Sequence, residues 1–173
     1  MIYADEAGLS NTASVSYKWS EKGKQPLVKQ TQRKKERVTL FGGIEPVTGK
    51  TIIHIASKGN TRTFFSFLCK LVKAYAEQKI YLVLDNVRFH HAKRLKPILE
   101  RFQSRIEFIF LPPYSPDLNP IERVWGWMRK QITHNRFMNT LQERINAFDK
   151  LLKPLEIPNE IGKKIAKIKE VFN

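Results

Sequence analysis

A chain of 173 residues that is 42% hydrophobic and 11% aromatic is the size of one domain with a substantial core, which excludes a low-complexity or disordered protein. Its 31 Lys and Arg against 16 Asp and Glu leave a formal charge of +15, so the partner to expect is a polyanion, held by salt-dependent attraction to phosphates. A single cysteine, Cys69, excludes an internal disulfide framework and a multi-cysteine zinc site, and no apolar run nears the roughly 20 residues that span a bilayer. With no basic region followed by a long apolar one at the N-terminus, the expectation is an unexported, cytoplasmic protein without membrane partners.

The chain opens on a short strand-like run, Ile2 to Ala4, that leads into Asp5 and Glu6. Eight basic residues then fall between positions 18 and 37 (Lys18, Lys22, Lys24, Lys29, Arg33, Lys34, Lys35, Arg37) against Glu21 and Glu36, predicting a mobile basic connection anchored by Trp19. Such a run is either a solvated loop that maintains solubility or a surface for phosphates. RVTLFGGI (Arg37 to Ile44) and TIIHI (Thr51 to Ile55) flank the turn formers Glu45, Pro46, Thr48 and Gly49, and predict a hairpin. From Thr61, Phe64, Leu68, Leu71, Val72 and Tyr75 recur at helical spacing, giving a helix that ends near Gln78. IYLVL, Ile80 to Leu84, is apolar without alternation, as in a strand buried on both faces, and runs into Asp85 and Asn86. A helix follows over Ala92 to Phe102, with Leu95, Leu99 and Phe102 inward and Pro97 as a kink or a delayed start. Next come a strand over Ile106 to Leu111 and a helix from Pro120 whose inward stripe is Ile121, Val124, Trp125, Met128 and Ile132. Helical segments near Thr140 to Leu152 and Asn159 to Phe172 complete the chain. This order predicts an α/β fold whose mixed sheet is flanked by helices, with the first strand beside the one that ends at Asp85.

The stretch LPPYSPDLNPIERVW, Leu111 to Trp125, organises the rest. Its prolines fix φ and keep their predecessors from helical angles, so helix cannot begin before about Asn119. Asn119 suits the N-cap, Pro120 the first helical position, and Glu122 the third, on the first turn. Asp85 ends a strand, where ligands of open α/β sheets gather, and Asp5 follows the first strand. Carboxylates brought together in so basic a chain need a counter-charge. Mg²⁺ or Mn²⁺ supplies it, since hard cations prefer oxygen ligands and a pair of them can clamp the oxygens of a phosphoryl displacement. The carboxylates of Asp5, Asp85 and Glu122 are then expected within roughly 4 to 8 Å of one another. Each has a plainer alternative: Asp85 in an Asx turn, Glu122 in a capping box with Asn119, and Glu6 in place of Asp5. His90 and His91 have at most a supporting role behind the ligands.

The strings LDNVRFHHA and FLPPYSPDLNPIERVW resemble the second and third motifs of the DDE transposases of the mariner superfamily, in the branch found in bacterial insertion sequences. YADEAG is similar to the first motif, so the resemblance reaches from the start of the chain to about Arg129. It implies a ribonuclease H-like fold with a five-stranded mixed sheet, in which residues 1–135 form the catalytic core and 136–173 a helical extension of the same domain. It implies that Asp5, Asp85 and Glu122 are the catalytic, metal-holding triad, with two Mg²⁺ or Mn²⁺ ions. Asp85 and Glu122 are separated by 36 residues, in keeping with the family's spacing. Asn86 and His90 match the family's Asp-Asn pair and trailing histidine, and with Glu6 and Asn119 are expected behind the ligands. The implied reaction is strand cleavage by activated water, then joining of the freed 3′-hydroxyl to target DNA at a TA dinucleotide, without a covalent protein intermediate. Such transposases carry helix-turn-helix segments ahead of the first catalytic strand, where this sequence begins. The expected partners are therefore transposon-end and target DNA, a separately encoded helix-turn-helix half, and further copies in an oligomer on DNA, in the nucleoid. A noncatalytic DNA-binding or regulatory remnant, and a ribonuclease H-like nuclease or resolvase, are the alternative functions.

Overall fold

The first strand, β1 (Ile2–Ser10), is longer than its apolar lead predicts, because β2 (Arg37–Ile44) offers an antiparallel partner along it from Tyr3↔Ile44 to Ser10↔Arg37. Asp5 and Glu6 therefore lie inside a strand rather than beyond its end. In this computed structural model, residues 1–12, 17, 19–24, 27, 35–85, 96–113 and 115–167 are described. The predicted hairpin forms: β3 (Thr51–Ala56) pairs antiparallel with β2 across a turn that places Gly49 at φ 73°, the left-handed region open to glycine. On the other side of β1, β4 (Ile80–Leu84) and β5 (Ile106–Phe110) are parallel, giving a five-stranded mixed sheet of order β3-β2-β1-β4-β5.

Helices cover both faces. On one, α1 (Thr61–Ala74) sets Phe64, Phe67, Leu68 and Leu71 against Ile2, Ala4, Phe41, Leu82 and Leu84. Asn60 caps this helix by accepting from the N–H groups of Arg62 and Thr63. It stops short of Gln78, where the Arg105 guanidinium takes up the carbonyls of Tyr75 and Gln78. α2 (Lys96–Phe102) begins with Pro97 in its first turn, as proline prefers, and buries Phe102. The expected residues 92–95 of that helix lie outside the described residues, as do the last residues of the expected final helix, 168–172.

On the opposite face lie α3 (Ile121–Ile132), α4 (Leu141–Leu152) and α5 (Glu160–Ala166). The predicted stripe of α3, Ile121, Val124, Trp125, Met128 and Ile132, is buried throughout against Leu9, Leu40, Ile44 and Ile53. Phe148 and Leu152 of α4 and Ala166 of α5 enter the same core, so the C-terminal helices complete the face on which α3 sits. α5 approaches the hairpin turn closely: a Cβ on Gly162 would stand 2.0 Å from the Gly49 carbonyl oxygen.

One buried cation ties these parts together. Arg144 of α4 is 0% exposed, and its guanidinium donates to the carbonyls of Thr12, past the end of β1, and Arg136, between α3 and α4. Burial lowers its pKa, and no carboxylate compensates it among the described residues. Arg144→Ala should cost roughly 2 to 4 kcal/mol in urea unfolding, because two charge-assisted bonds vanish and two carbonyls lose their donors. An unchanged midpoint would show that water replaces the guanidinium at no cost.

Candidate active site

The alternation of β1 decides which carboxylates face one another. Ile2 and Ala4 belong to the α1 side and Tyr3, Ala7 and Leu9 to the α3 side, which places Asp5 under α3 and Glu6 on the opposite face. The contacts agree. Trp125 Nε1 donates to Asp5 Oδ2 at 3.3 Å, whereas the Glu6 carboxylate lies against Gly59, ahead of α1, where a Cβ would meet Glu6 Oε1 at 2.3 Å. Between Asp5 and Glu6, the fold thus offers Asp5 to the face that carries Glu122.

Asp85 follows directly on β4, whose parallel register pairs Ala4 with Leu84 and so sets Asp85 beside Asp5. Its carboxylate is held by Asn119, which is 1% exposed and whose Nδ2 donates to Asp85 Oδ1 at 3.1 Å and to the Ala4 carbonyl at 3.3 Å. The reversed amide would turn its oxygen onto two acceptors, so the hydrogen bonds fix this orientation. Asn119 is therefore not the helix cap expected of it. The cap position of α3 falls to Pro120, with no side-chain cap bond, and Glu122 sits one position closer to the helix start. This corrects the capping-box alternative: Asn119 is drawn away by Asp85 and Ala4, and among the described residues the hydrogen bond of Glu122 is that of its backbone N–H, which donates to the Asn119 carbonyl at 3.1 Å.

The electrostatics join these positions. The Asp5 carboxyl is pushed up to about 7, first by burial and then by the negative charges of Glu122 and Asp85, against the lowering effect of the Glu6 backbone N–H and the Trp125 indole. Asp5 therefore feels both other acids through a poorly solvated space. The three are not a ready-made metal site: among the described residues, no three His, Cys, Asp or Glu side chains are grouped so as to hold a metal ion. Two of them each have one oxygen held by a donor, Asp85 by Asn119 and Asp5 by Trp125. The donor set is all oxygen and its charges repel, which fits a hard divalent cation and no soft one.

Asn86 and His90 lie outside the described residues, as do Lys18, Lys29, Arg33 and Lys34 of the basic connection. Lys22, Lys24, Lys35 and Arg37 are exposed, and Lys24 forms an ion pair with Glu21. Trp19 is 99% exposed and anchors nothing, which corrects that expectation. Trp125, read from the sequence as core alone, is the site residue missed. The one available signal was its position three residues after Glu122, on the same helical face.

With this geometry in place, comparison with known proteins gives a family. The family described as DDE superfamily endonuclease matches residues 1–144. A 39 kDa protein of insertion element IS630 from Shigella sonnei is 28% identical over 136 residues, 78% of this chain and 39% of that protein. The mariner Mos1 paired-end complex with Mn superposes with a TM-score of 0.70 at 14% identity, over 95% of this chain and 51% of that one. The catalytic domain of Mos1 mariner transposase does so with a TM-score of 0.59 at 13% identity, over 95% of this chain and 74% of that one. The chain thus spans about two-fifths of the insertion-element protein and half of the Mos1 chain in its complex. The sheet and its helices are the ribonuclease H-like fold expected from the motifs.

Proposed function

We propose, because the chain belongs to the DDE superfamily endonucleases, that it is the catalytic domain of an insertion-sequence transposase that cleaves DNA strands and transfers their ends. The observation that carries this reading is Asp5, half-buried under α3 with one oxygen held by the Trp125 indole, and with its pKa pushed up to about 7 by burial and by the charges of Glu122 and Asp85. Asp5, Asp85 and Glu122 would hold Mg²⁺ or Mn²⁺, in line with the Mn in the Mos1 complex. When bound, a pair of such ions supplies Lewis-acid activation of water and neutralises charge at the phosphate. The chain's own residues do the rest. Asn119 holds one oxygen of Asp85, Trp125 one oxygen of Asp5, and the rigid proline entry fixes the first turn of α3 that presents Glu122.

The duplex would be held by the exposed Lys22, Lys24, Lys35 and Arg37 together with Lys18, Lys29, Arg33 and Lys34. Residues 1–135 would form the core and 136–173 an extension of one domain, as the shared burial of α3, α4 and α5 supports. Transposon ends and target DNA, further copies on that DNA and a separate helix-turn-helix half are the partners this reading calls for. Among the described residues, no helix is long and apolar enough to cross a membrane.

Two measurements test the proposal. Incubation of labelled duplex with Mn²⁺ should yield nicked product, and Glu122→Gln, which keeps size while removing charge, should yield none above background. Equal nicking by Glu122→Gln would remove that residue from the site. In a binding titration, affinity for duplex DNA should fall by about 0.9 in log K per log unit of salt for each phosphate neutralised. A flat response between low and physiological salt would reject DNA as the polyanion.

A further inference from the structure

The indole of Trp125 sits where a core residue would suffice for packing, yet its N–H points at a carboxylate. Nε1 donates to Asp5 Oδ2 at 3.3 Å, and the ring lies directly over β2, where a Cβ on Gly42 would stand 2.4 Å from its Cη2 atom. Gly42 is thus the notch that lets the indole lie against the sheet and reach Asp5 on the neighbouring strand. The ring also borders a cavity of about 140 Å³, lined in part by Leu9, Leu40, Met128 and Phe148, so packing is incomplete around it. Asn119, on the same segment, treats the second aspartate alike through Asp85 Oδ1.

We propose that Trp125 is a positioning residue: its N–H fixes one oxygen of Asp5, so that the carboxylate is aimed before a divalent cation arrives, as Asn119 aims Asp85. This rests on the metal-holding role proposed for Asp5 and Asp85. Seven residues, 119–125, then deliver one carboxylate and the donors that orient the other two. A carboxylate aimed by a fixed donor loses less rotational freedom when it binds a cation, and loss of such supporting bonds characteristically weakens metal affinity.

The test replaces Trp125 in the full chain by 3-benzothienylalanine, in which sulfur takes the place of the indole N–H with the ring shape preserved, and separately by Phe. Mn²⁺ binding is followed by the loss of the free-ion electron paramagnetic resonance signal, and folding by thermal melting without metal. The expected result is a Mn²⁺ dissociation constant raised roughly tenfold in the isostere. It should remain folded, with a melting temperature without metal lowered by no more than about 10 °C for the one lost hydrogen bond, and Trp125→Phe should weaken binding at least as much. Wild-type affinity in the folded isostere overturns the positioning role and leaves the metal site standing. Failure of the wild-type chain to bind Mn²⁺ overturns the metal site and the positioning role together, and Asp85→Asn serves as the control that separates site binding from adventitious binding.

Discussion

Asp5→Asn is expected to stabilise the folded chain at pH 8 while ending Mn²⁺-dependent cleavage. The sign follows from the direction of the shift. In the folded chain the Asp5 carboxyl titrates near 7, raised from an ordinary value of 3.8. Below about pH 4 folded and unfolded chains both hold the proton, and the group contributes nothing. Between there and pH 7 the unfolded chain ionises while the folded one keeps its proton, so stability falls as pH rises; above pH 7 the penalty is complete. Asparagine cannot ionise, and its carbonyl oxygen can still accept from Trp125. The variant should therefore unfold at the wild-type urea concentration at pH 4, and be more stable by roughly 1 to 3 kcal/mol at pH 8. Mn²⁺ should raise the wild-type melting temperature at pH 8 and leave that of Asp5→Asn unmoved, since a ligand stabilises only the state that binds it. Equal or lower stability of the variant at pH 8 would show that Asp5 is not strained by its neighbours. A residue whose removal strengthens the fold and abolishes activity carries a cost accepted for function.

Asp85→Asn should lower Mn²⁺-dependent cleavage by at least about 10³-fold, equivalent to some 4 kcal/mol of barrier, with folding and DNA binding retained. The retention has a structural reason. Asn119 donates to Asp85 Oδ1 and to the Ala4 carbonyl, and an asparagine at position 85 offers an oxygen in the same place. The bridge between β1, β4 and the entry to α3 survives, and only the charge goes. Cleavage at the wild-type rate would exclude Asp85 as a ligand. Unfolding would instead mean that its charge serves the bridge.

The local elements were legible from residues alone, because their signals are local. The hairpin follows from turn formers between two β-rich runs, and the buried face of α3 from the spacing of Ile121, Val124, Trp125, Met128 and Ile132. The candidate site was legible for a different reason: the prolines from 112 to 120 constrain the backbone so tightly that Glu122 must fall on a first helical turn. What the sequence left open is everything that depends on a partner distant in the chain. β1 continues through Asp5 to Ser10 because β2 supplies its hydrogen bonds, and only the resulting alternation decides that Asp5 faces α3 while Glu6 faces α1. Asn119 had every local qualification of a helix cap, but two acceptors, one 115 positions away, outcompete the helix N–H groups for its side chain. Trp125 was one apolar residue in a stripe until Gly42 of β2 admitted its ring to Asp5. Composition, spacing and proline chemistry determined the fold class and nominated the acids. Strand pairing and burial decided which way each carboxylate turns and which side chains hold it there, since these depend on contacts between residues far apart in the chain.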